Sequence, residues 1–259
     1  MNTEQSGELL VDLRDSILWV TINREQRRNA ITMTVVQGIS AALDWAQEDR
    51  SVRAMVITGA GNKAFCAGAD LQGGNMFEID ASEPYGASAL LFRKARQVTV
   101  PLIARVNGAC VAGGMALMAM CDFVVASDAA VFGLPEVKVG LFPAQVMALL
   151  QHLLPRRVVT EMCLTGDPIS ANNALSLGLV NAVGSDVDAL LDALLMRLLG
   201  QSPAAIRRGL YMMKKMESMS FEESISFAES QIALFAMTQD AHEGQAAFRE
   251  KRKPKWTNL

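Results

Sequence analysis

The stretches KAFCAGAD (residues 63–70) and NGACVAGG (residues 107–114) decide what this sequence can fold into and do. Both consist largely of small residues, which let a backbone approach a ligand closely. The second stretch leads into the helical pattern GGMALMAM, so it also offers the free N–H groups and positive dipole end of a helix N-terminus. Two such donors meeting at one oxygen would form an oxyanion hole, suited to a thioester carbonyl that turns into an enolate. Tight packing is the alternative explanation for either stretch taken singly.

The residues around these stretches predict an α/β fold. Residues 9–13 and 17–22 alternate as strands do, and AMVITG (54–59) is a short buried strand. A helix with Thr32 as its N-cap lies between them. The order then repeats with LIARVNG (102–108) as a strand, the helix that begins GGMALMAM, and DFVVAS (122–127) as a strand. This repetition predicts stacked ββα units.

The pattern becomes helical after about residue 143. Ser170 is placed as an N-cap, and Gly166 and Gly178 are placed as C-terminal caps. Helices are predicted at 143–153, 157–164, 171–177, 187–199, 203–217 and 221–238, with one more near the end. We therefore predict a core with the active site at 1–199 and a helical packing or oligomerisation region at 200–259. The Gly-, Asn- and acid-rich residues 71–84 have no period and are predicted to form a mobile surface loop.

Composition excludes several classes of function. A net charge of −3 gives no broad basic field for nucleic acid. No apolar run approaches the ~20 residues of a membrane span, and the first residues do not resemble a signal peptide. Four cysteines without a CxxC or Cys/His cluster indicate reduced thiols in a cytoplasmic protein and no metal site.

The segment from Gly59 to Ala64 imitates a dinucleotide-binding motif, G-x-G-x-x-A, and follows a strand. Such a motif must open a helix, but Gly68, Gly73 and Gly74 interrupt the residues that follow. Each interior glycine would cost a helix about 1 kcal/mol. The broken helix argues against a nicotinamide-dependent dehydrogenase.

Five motifs together resemble the crotonase superfamily, the enoyl-CoA hydratase/isomerase family, in order and in spacing. They are KAFCAGADL, NGACVAGG, CDFVVAS, FGLPEVKVGLFP and AFREKR, and the likeness runs from about Leu9 to Trp256. The resemblance implies a crotonase-like spiral of ββα units, followed by a helical trimerisation region that forms a homotrimer or a homohexamer. It also implies an acyl-CoA thioester as substrate, with coenzyme A (CoA) as part of that substrate and no separate cofactor.

The resemblance assigns roles to particular residues. The N–H groups of Ala69 and Gly113 would polarise the thioester carbonyl, and Glu136 would be the catalytic carboxylate. Phe248 and Lys251 would contact the adenine end of CoA, often from a neighbouring subunit, although the basic cluster around Lys251 can also be a solvated tail. The further substrate or CoA contacts would be Arg24, Arg27, Arg28, Lys63, Ala64, Phe65, Ala67, Asp70, Leu71, Gly114, Ala116, Pro135 and Gln145.

One departure from the family pattern bears on the reaction. The well-studied hydratases of this family use two glutamates, and here Ala116 stands where the first would be. Alanine can neither hold water nor transfer a proton. A single carboxylate suffices to move a proton between C2 and C4 of a 3-enoyl thioester, so isomerisation is slightly favoured.

Other reactions stay open. Hydration of an enoyl thioester, including a branched glutaconyl-type one, would use Glu136 with Gln145, which either enters the pocket or caps the following helix. Decarboxylation of a malonyl-type thioester would need no second acid. A catalytically idle CoA-binding protein is the remaining alternative. His152 and His242 are more typical of structural or exposed positions, and neither has a neighbouring Ser or Cys to suggest a triad.

Overall fold

The structure is a computed structural model that describes residues 7–72 and 81–259. Two sheets form its α/β core. The strands are β1 (Leu9–Arg14), β2 (Ile17–Ile22), β3 (Ala54–Gly59), β4 (Ala64–Cys66), β5 (Leu102–Val106), β6 (Ala109–Val111), β7 (Phe123–Ser127), β8 (Val131–Gly133), β9 (Ile169–Ser170) and β10 (Ala182–Gly184).

The helices are α1 (Met33–Glu48), α2 (Ala87–Ala95), α3 (Gly113–Ala119), α4 (Ala144–Leu150), α5 (Arg156–Thr165), α6 (Ala171–Ser176), α7 (Val187–Leu199), α8 (Pro203–Met216), α9 (Phe221–Ala236) and α10 (Gln239–Glu250). Two short 3-10 helices lie at Glu25–Arg27 and Pro135–Val139.

From β3 to β8, successive strands join the two sheets alternately. The first sheet has the order β1-β2-β3-β5-β7-β10, and the second has the order β4-β6-β8-β9. Of the strand pairs within the described residues, only β1–β2 and β8–β9 are antiparallel. Each unit therefore gives one strand to each sheet and then moves on by one position, which confirms the predicted spiral. The three-residue strands of the second sheet were not predicted, because so few residues show no period.

Strand β3 shows why the first sheet is covered on both faces. All six of its residues are buried. Met55 and Ile57 belong to the main core, which also includes residues of α1 and α3, while Ala54 and Val56 belong to a second core. Helix α7 completes that second core with Val187, Leu191 and Leu195, spaced four residues apart on one helical face.

The predicted helix ends agree with the structure. Thr32 and Ser170 accept hydrogen bonds from backbone amides of the first turns of α1 and α6. Gly166 ends α5 in the left-handed conformation, and Gly178, also left-handed, follows the end of α6. Helix α2 was not predicted. The mobility predicted for residues 71–84 falls largely on residues 73–80, which lie outside the described residues.

Helix α8 joins the C-terminal helices to the core through a buried cation, Arg207, and a half-buried cation, Lys214. The Arg207 guanidinium donates to the carbonyl oxygens of Ala46, Asp49 and Val52 beyond the end of α1, at 3.4, 3.2 and 2.9 Å. Lys214 Nζ donates to Ala95 O and Val98 O at the end of α2. Each cation thereby binds one carbonyl in the last turn of a helix, Ala46 O in α1 and Ala95 O in α2, where a helix leaves carbonyl groups unpaired. The division of the chain at residue 199 stays a prediction.

Candidate active site

Three parallel strands of the second sheet bring the predicted catalytic residues together. Strands β4, β6 and β8 lie side by side and run in one direction. Ala69 follows β4, Gly113 follows β6 and Glu136 follows β8, each within about five residues of its strand. Because parallel strands end at the same edge of a sheet, these residues collect at one edge.

The first donor is the amide of Ala69. Ala69 forms an isolated parallel bridge with Ile31. The Ile31 N–H donates to Gly68 O at 2.7 Å, and the Asp70 N–H donates to Ile31 O at 2.8 Å. These two hydrogen bonds involve Gly68 O and the Asp70 N–H, on either side of the Ala69 N–H. The Ala69 N–H itself has no acceptor within residues 7–72 and 81–259.

The second donor is the amide of Gly113, the first residue of α3. A helix leaves its first amides without an intrahelical acceptor. Ala112, just before it, is held by a hydrogen bond from its N–H to Gly133 O at 2.9 Å. A methyl group placed on Gly113 would lie 3.7 Å from the Ala69 nitrogen, so the two donor segments are in contact. Two neighbouring free amides are the geometry that the predicted oxyanion hole requires.

Close contact at the donors depends on glycine. A methyl group on Gly114 would lie 2.9 Å from Cβ of Cys66 in β4, which would force α3 away from the strand. Gly68 has φ +91°, and a methyl group there would lie 2.6 Å from Cβ of Ala112. Gly68 and Gly114 therefore allow neighbouring backbone segments to pack closely, and this packing also sets the positions of the two donor amides.

One oxygen of the Glu136 carboxylate has no hydrogen-bond partner among the described residues. Glu136 lies in the 3-10 helix after β8, with Pro135 before it and the left-handed Gly140 at the end. Its Oε2 atom is buried and makes no hydrogen bond with any described residue. Burial raises the pKa of the Glu136 carboxyl above its ordinary value. A half-buried carboxylate with a raised pKa is suited to accept a proton from carbon.

Two other predicted positions, Ala116 and Gln145, offer no second acid. Ala116 lies one turn into α3 and is buried at 1% exposure. Gln145 is exposed in the first turn of α4, and no side chain caps that helix, so the predicted capping role of Gln145 is wrong. The cap fails because Gln145 lies inside the helix, two residues after the N-cap Pro143. Its entry into the pocket stays a prediction.

Arg24 and Asp70, predicted as CoA contacts, bind each other. Arg24 Nη2 lies 2.8 Å from Asp70 Oδ2, while its Nη1 donates to Ala30 O at 2.6 Å. Arg24 Nε also lies 3.0 Å from a carboxylate oxygen of Glu8. The hydrogen bond from Arg24 is the main cause that lowers the pKa of Asp70 to about 2. Arg24 therefore joins the loop after β2 to the segment that carries the Ala69 donor.

The remaining predicted CoA contacts differ in exposure. Arg27 is 3.2 Å from Asp70 Oδ1 but remains 44% exposed. Ala64 and Phe65 are buried in the core, so only their backbone can meet a ligand. Ala67 and Pro135 are half-buried, whereas Arg28, Lys63 and Leu71 are exposed.

Phe248 and Lys251 lie at the end of α10, on the helical region. Phe248 is 86% exposed, and Lys251 ends the helix in the left-handed conformation. Helix α10 packs mainly against α8 and α9. The predicted contact of these two residues with CoA therefore stays a prediction, as does its origin in a neighbouring subunit.

Two buried asparagines that support the site were not predicted. Asn29 Nδ2 donates to Ala60 O and Ala64 O at 3.0 and 2.7 Å. Asn107 Nδ2 donates to Gly59 O and Gly61 O at 2.8 and 2.6 Å. Together they fix the turn between β3 and β4. Asn107 precedes a glycine in the second donor stretch, but no local pattern indicated its distant partners.

The segment from Gly59 to Ala64, which imitates a dinucleotide-binding motif, leads into strand β4. After Gly59 the chain turns and enters β4 at Ala64. The prediction that no helix opens there is confirmed.

Searches for other kinds of site covered residues 7–72 and 81–259. No group of three His, Cys, Asp or Glu residues there is placed to hold a metal ion. No single helix in that part of the chain is long and apolar enough to cross a membrane, although the pair α7 and α8, bent by 101°, reaches the length and composition together. All four cysteines are free thiols.

Comparisons with known proteins agree with this geometry. A family model described as enoyl-CoA hydratase/isomerase matches residues 12–258. The enoyl-CoA hydratase EchA19 of Mycobacterium tuberculosis is 35% identical over 269 residues, with all of both chains covered. The 2,3-dehydroadipyl-CoA hydratase of Escherichia coli is 32% identical and covers 96% of this chain and 98% of its own.

A solved structure shows the same fold. The enoyl-CoA hydratase of Mycobacterium smegmatis superposes with a TM-score of 0.90 at 32% identity, covering 97% of this chain and 99% of that chain. The paired donor amides and the carboxylate of Glu136 agree with these matches. The chain therefore belongs to the enoyl-CoA hydratase/isomerase family of the crotonase superfamily.

Proposed function

We propose that this enzyme isomerises a 3-enoyl-CoA to the 2-enoyl-CoA, with Glu136 as the single base. The observation that carries the proposal is the buried, unpartnered Oε2 of Glu136 together with Ala116 in the position of a second carboxylate. Hydration needs a group that holds water while another moves a proton. Isomerisation needs only one group that takes a proton and returns it.

The reaction proceeds in two balanced steps. The thioester oxygen accepts hydrogen bonds from the N–H groups of Ala69 and Gly113. Glu136 takes a proton from C2, so the C2–H bond breaks and the electron pair forms a dienolate with its charge on that oxygen. The carboxyl then gives the proton to C4 as the double bond settles between C2 and C3. One oxyanion donor is worth about 10²–10³-fold in kcat, and a positioned base about 10²–10⁴-fold.

Hydration is the second candidate, and the printed names of the relatives favour it. Both curated relatives above are named as hydratases. In this reaction Glu136 would activate water, with Gln145 of the first turn of α4 helping to hold it. Glu136 would work alone or with an amide, since alanine at position 116 offers no polar atom.

We also propose that the protein works in a reducing cellular compartment. Free thiols on all four cysteines support work in a reducing compartment such as the cytoplasm. Coenzyme A would arrive as part of the substrate, so we expect no separate cofactor.

Product analysis in oxygen-18 water tests the proposal. The enzyme is given crotonyl-, 3-hexenoyl-, 3-methylglutaconyl- and methylmalonyl-CoA, and products are identified by mass spectrometry. We expect 2-hexenoyl-CoA from 3-hexenoyl-CoA, without oxygen-18. Oxygen-18 on the β carbon of a product would instead support hydration. Loss of CO₂ from methylmalonyl-CoA, or CoA binding without any reaction, would overturn both.

The base is tested separately with Glu136→Gln. We expect turnover to fall about 10²–10⁴-fold, because the amide cannot take the proton, while the fold and CoA binding persist. Glu161→Gln, an exposed glutamate on α5, is the matched control and should keep full activity. In the wild type, kcat/KM should rise with pH through a pKa above that of an ordinary glutamate, because only the ionised carboxyl is a base. Unchanged turnover in Glu136→Gln would exclude Glu136 as the base.

A further inference from the structure

Two buried charges, Arg24 and Asp70, form an ion pair directly beside the Ala69 donor. Asp70 is the residue after Ala69, and its side chain is 7% exposed. The Arg24 side chain is 13% exposed, and its Nη2 atom lies 2.8 Å from Asp70 Oδ2. A buried ion pair loses hydration, so its remaining polar atoms need further hydrogen bonds. Those of Arg24 lead to the backbone around the donor.

Each of the three nitrogen atoms of the Arg24 guanidinium is bound within the chain. Besides Asp70, the acceptors are Ala30 O at 2.6 Å from Nη1 and a Glu8 carboxylate oxygen at 3.0 Å from Nε. The other oxygen of Glu8 accepts from the Thr32 hydroxyl at 2.6 Å, so Glu8 is itself held. A buried guanidinium with these partners is poorly placed to bind a CoA phosphate, and the charge of Asp70 would repel one.

The Arg24 guanidinium ties together the two backbone segments that meet at the Ala69 amide. One segment contains Ile31, which forms the isolated parallel bridge with Ala69. Nη1 of Arg24 holds the carbonyl of Ala30, the residue before Ile31. Nη2 holds the side chain of Asp70, the residue after Ala69. The ion pair therefore reinforces a bridge that no regular strand supports on either side.

We propose that Arg24 and Asp70 are positioning residues that fix the direction of the Ala69 N–H toward the thioester oxygen. A donor stabilises the oxyanion fully only when it already points to the place where the charge will form. Without the ion pair, the segment that carries Ala69 would be held by backbone contacts alone. This role differs from the CoA contact predicted for both side chains. The inference rests on the proposed function in one respect, namely that the Ala69 N–H binds the thioester oxygen.

The thioester carbonyl of a bound ligand reports the direction of the donor without any turnover. Hexanoyl-CoA with carbon-13 at this carbonyl is a suitable probe, because it has no double bond to move or hydrate. Difference infrared spectroscopy of the full-length protein follows its C=O stretch. Hydrogen bonds from the two donor amides weaken the C=O bond, so we expect the band of the bound ligand to lie at lower frequency than that of free hexanoyl-CoA.

Arg24→Met and Asp70→Asn should both move this band back toward its position in free hexanoyl-CoA. We also expect kcat for 3-hexenoyl-CoA to fall about 10–100-fold in both variants, because a displaced donor no longer meets the developing charge. The affinity for CoA without an acyl group, measured by calorimetry, should stay unchanged. A loss in kcat at constant CoA affinity separates positioning from CoA binding.

Arg207→Met is the matched control, because it also removes a buried guanidinium that binds backbone carbonyls, but on α8. It should leave the band in place even where it lowers stability. Because Arg24 and Asp70 act as a unit, the double variant Arg24→Met/Asp70→Asn should lose no more activity than the more impaired single variant. The double variant leaves no unpaired buried charge in this pair, so it provides the test if a single variant does not fold.

Three results would overturn the inference. The first is a band that stays in place in Arg24→Met and Asp70→Asn. The second is a weaker affinity for CoA with an unmoved band, which would make the two side chains CoA contacts. The third is an equal shift in Arg207→Met, which would make the shift a consequence of lost stability.

The two proposals fail differently. If no thioester reacts, or if oxygen-18 enters the product, while the band still moves in Arg24→Met, isomerisation is wrong and the positioning role stands. If the wild type isomerises 3-hexenoyl-CoA but the band does not move in the variants, only the positioning role is wrong.

Discussion

Ala112 holds a backbone conformation that alanine rarely adopts, with φ +52° and ψ −125°. Such a conformation costs about 1–3 kcal/mol and persists only where the surroundings enforce it. Two contacts hold Ala112 in this conformation. Its N–H donates to Gly133 O, and its Cβ faces Gly68. The strained turn joins β6 to α3 and so places the Gly113 amide beside that of Ala69.

Substitution of Gly68 tests this arrangement. Gly68→Ala would meet the side chain of Ala112 and strain a left-handed backbone, so we expect loss of most activity along with about 1–3 kcal/mol of stability. Gly178→Ala is the matched control, since Gly178 has φ +75° but nothing within 4 Å of the added methyl. The control should lose stability and keep its activity per folded molecule, as measured by urea unfolding and by initial rates. Full activity in Gly68→Ala would mean that the turn tolerates displacement.

Asp70 makes stability depend on pH in a defined direction. Its pKa is about 2 in the folded chain, chiefly because Arg24 donates to it, against about 4 in an unfolded chain. A lowered folded pKa gives stability that is present above the unfolded pKa and lost as pH falls through the folded pKa. We expect the gap in unfolding free energy between wild type and Asp70→Asn to shrink from pH 5 to pH 2.

The control for this prediction is an exposed ion pair. Asp12 lies 3.0 Å from Arg14 with both side chains about 60% exposed, and exposed pairs contribute little. Asp12→Asn should track the wild type in urea unfolding at every pH. A gap for Asp70→Asn that stays constant down to pH 2 would contradict the role given to Arg24.

At the scale of elements, the caps of α1 and α6 could be predicted, but the second sheet could not. Thr32 and Ser170 accept hydrogen bonds from amides three residues away, so a short stretch of sequence is enough to predict their capping role. Strand β6 has three residues and pairs with β4 and β8, each more than 20 residues distant. Its existence depends on partners that a local pattern does not identify.

Helix α8 provides the element-scale prediction. Arg207→Met should remove the donors to three carbonyl groups at the end of α1 and destabilise the chain by about 2–3 kcal/mol. Arg208→Met on the same helix is the control, because Arg208 has no hydrogen bond or ion pair among the described residues. Urea unfolding compares the two. Equal stability of the variants would mean that the carbonyls find water instead.

At the scale of the whole molecule, α9 presents an apolar stripe that no described residue of the chain covers. Phe221, Ile225 and Ile232 share one helical face and are 76, 52 and 69% exposed. We expect sedimentation equilibrium to give three or six times the chain mass of 28.0 kDa. Ile232→Glu should shift the mass downward, because a carboxylate in an apolar interface is costly. A wild type that stays at 28.0 kDa would contradict the predicted trimer or hexamer.

The sequence by itself determined the spiral α/β core, the helical C-terminal region, the donor segments and Glu136. These features depend on local composition, spacing and motifs, which a linear chain displays directly. Only the tertiary structure decided that Arg24 binds Asp70 and that Asn29 and Asn107 fix the turn between β3 and β4. These contacts join residues 35 to 46 positions apart, which meet only when distant elements pack together.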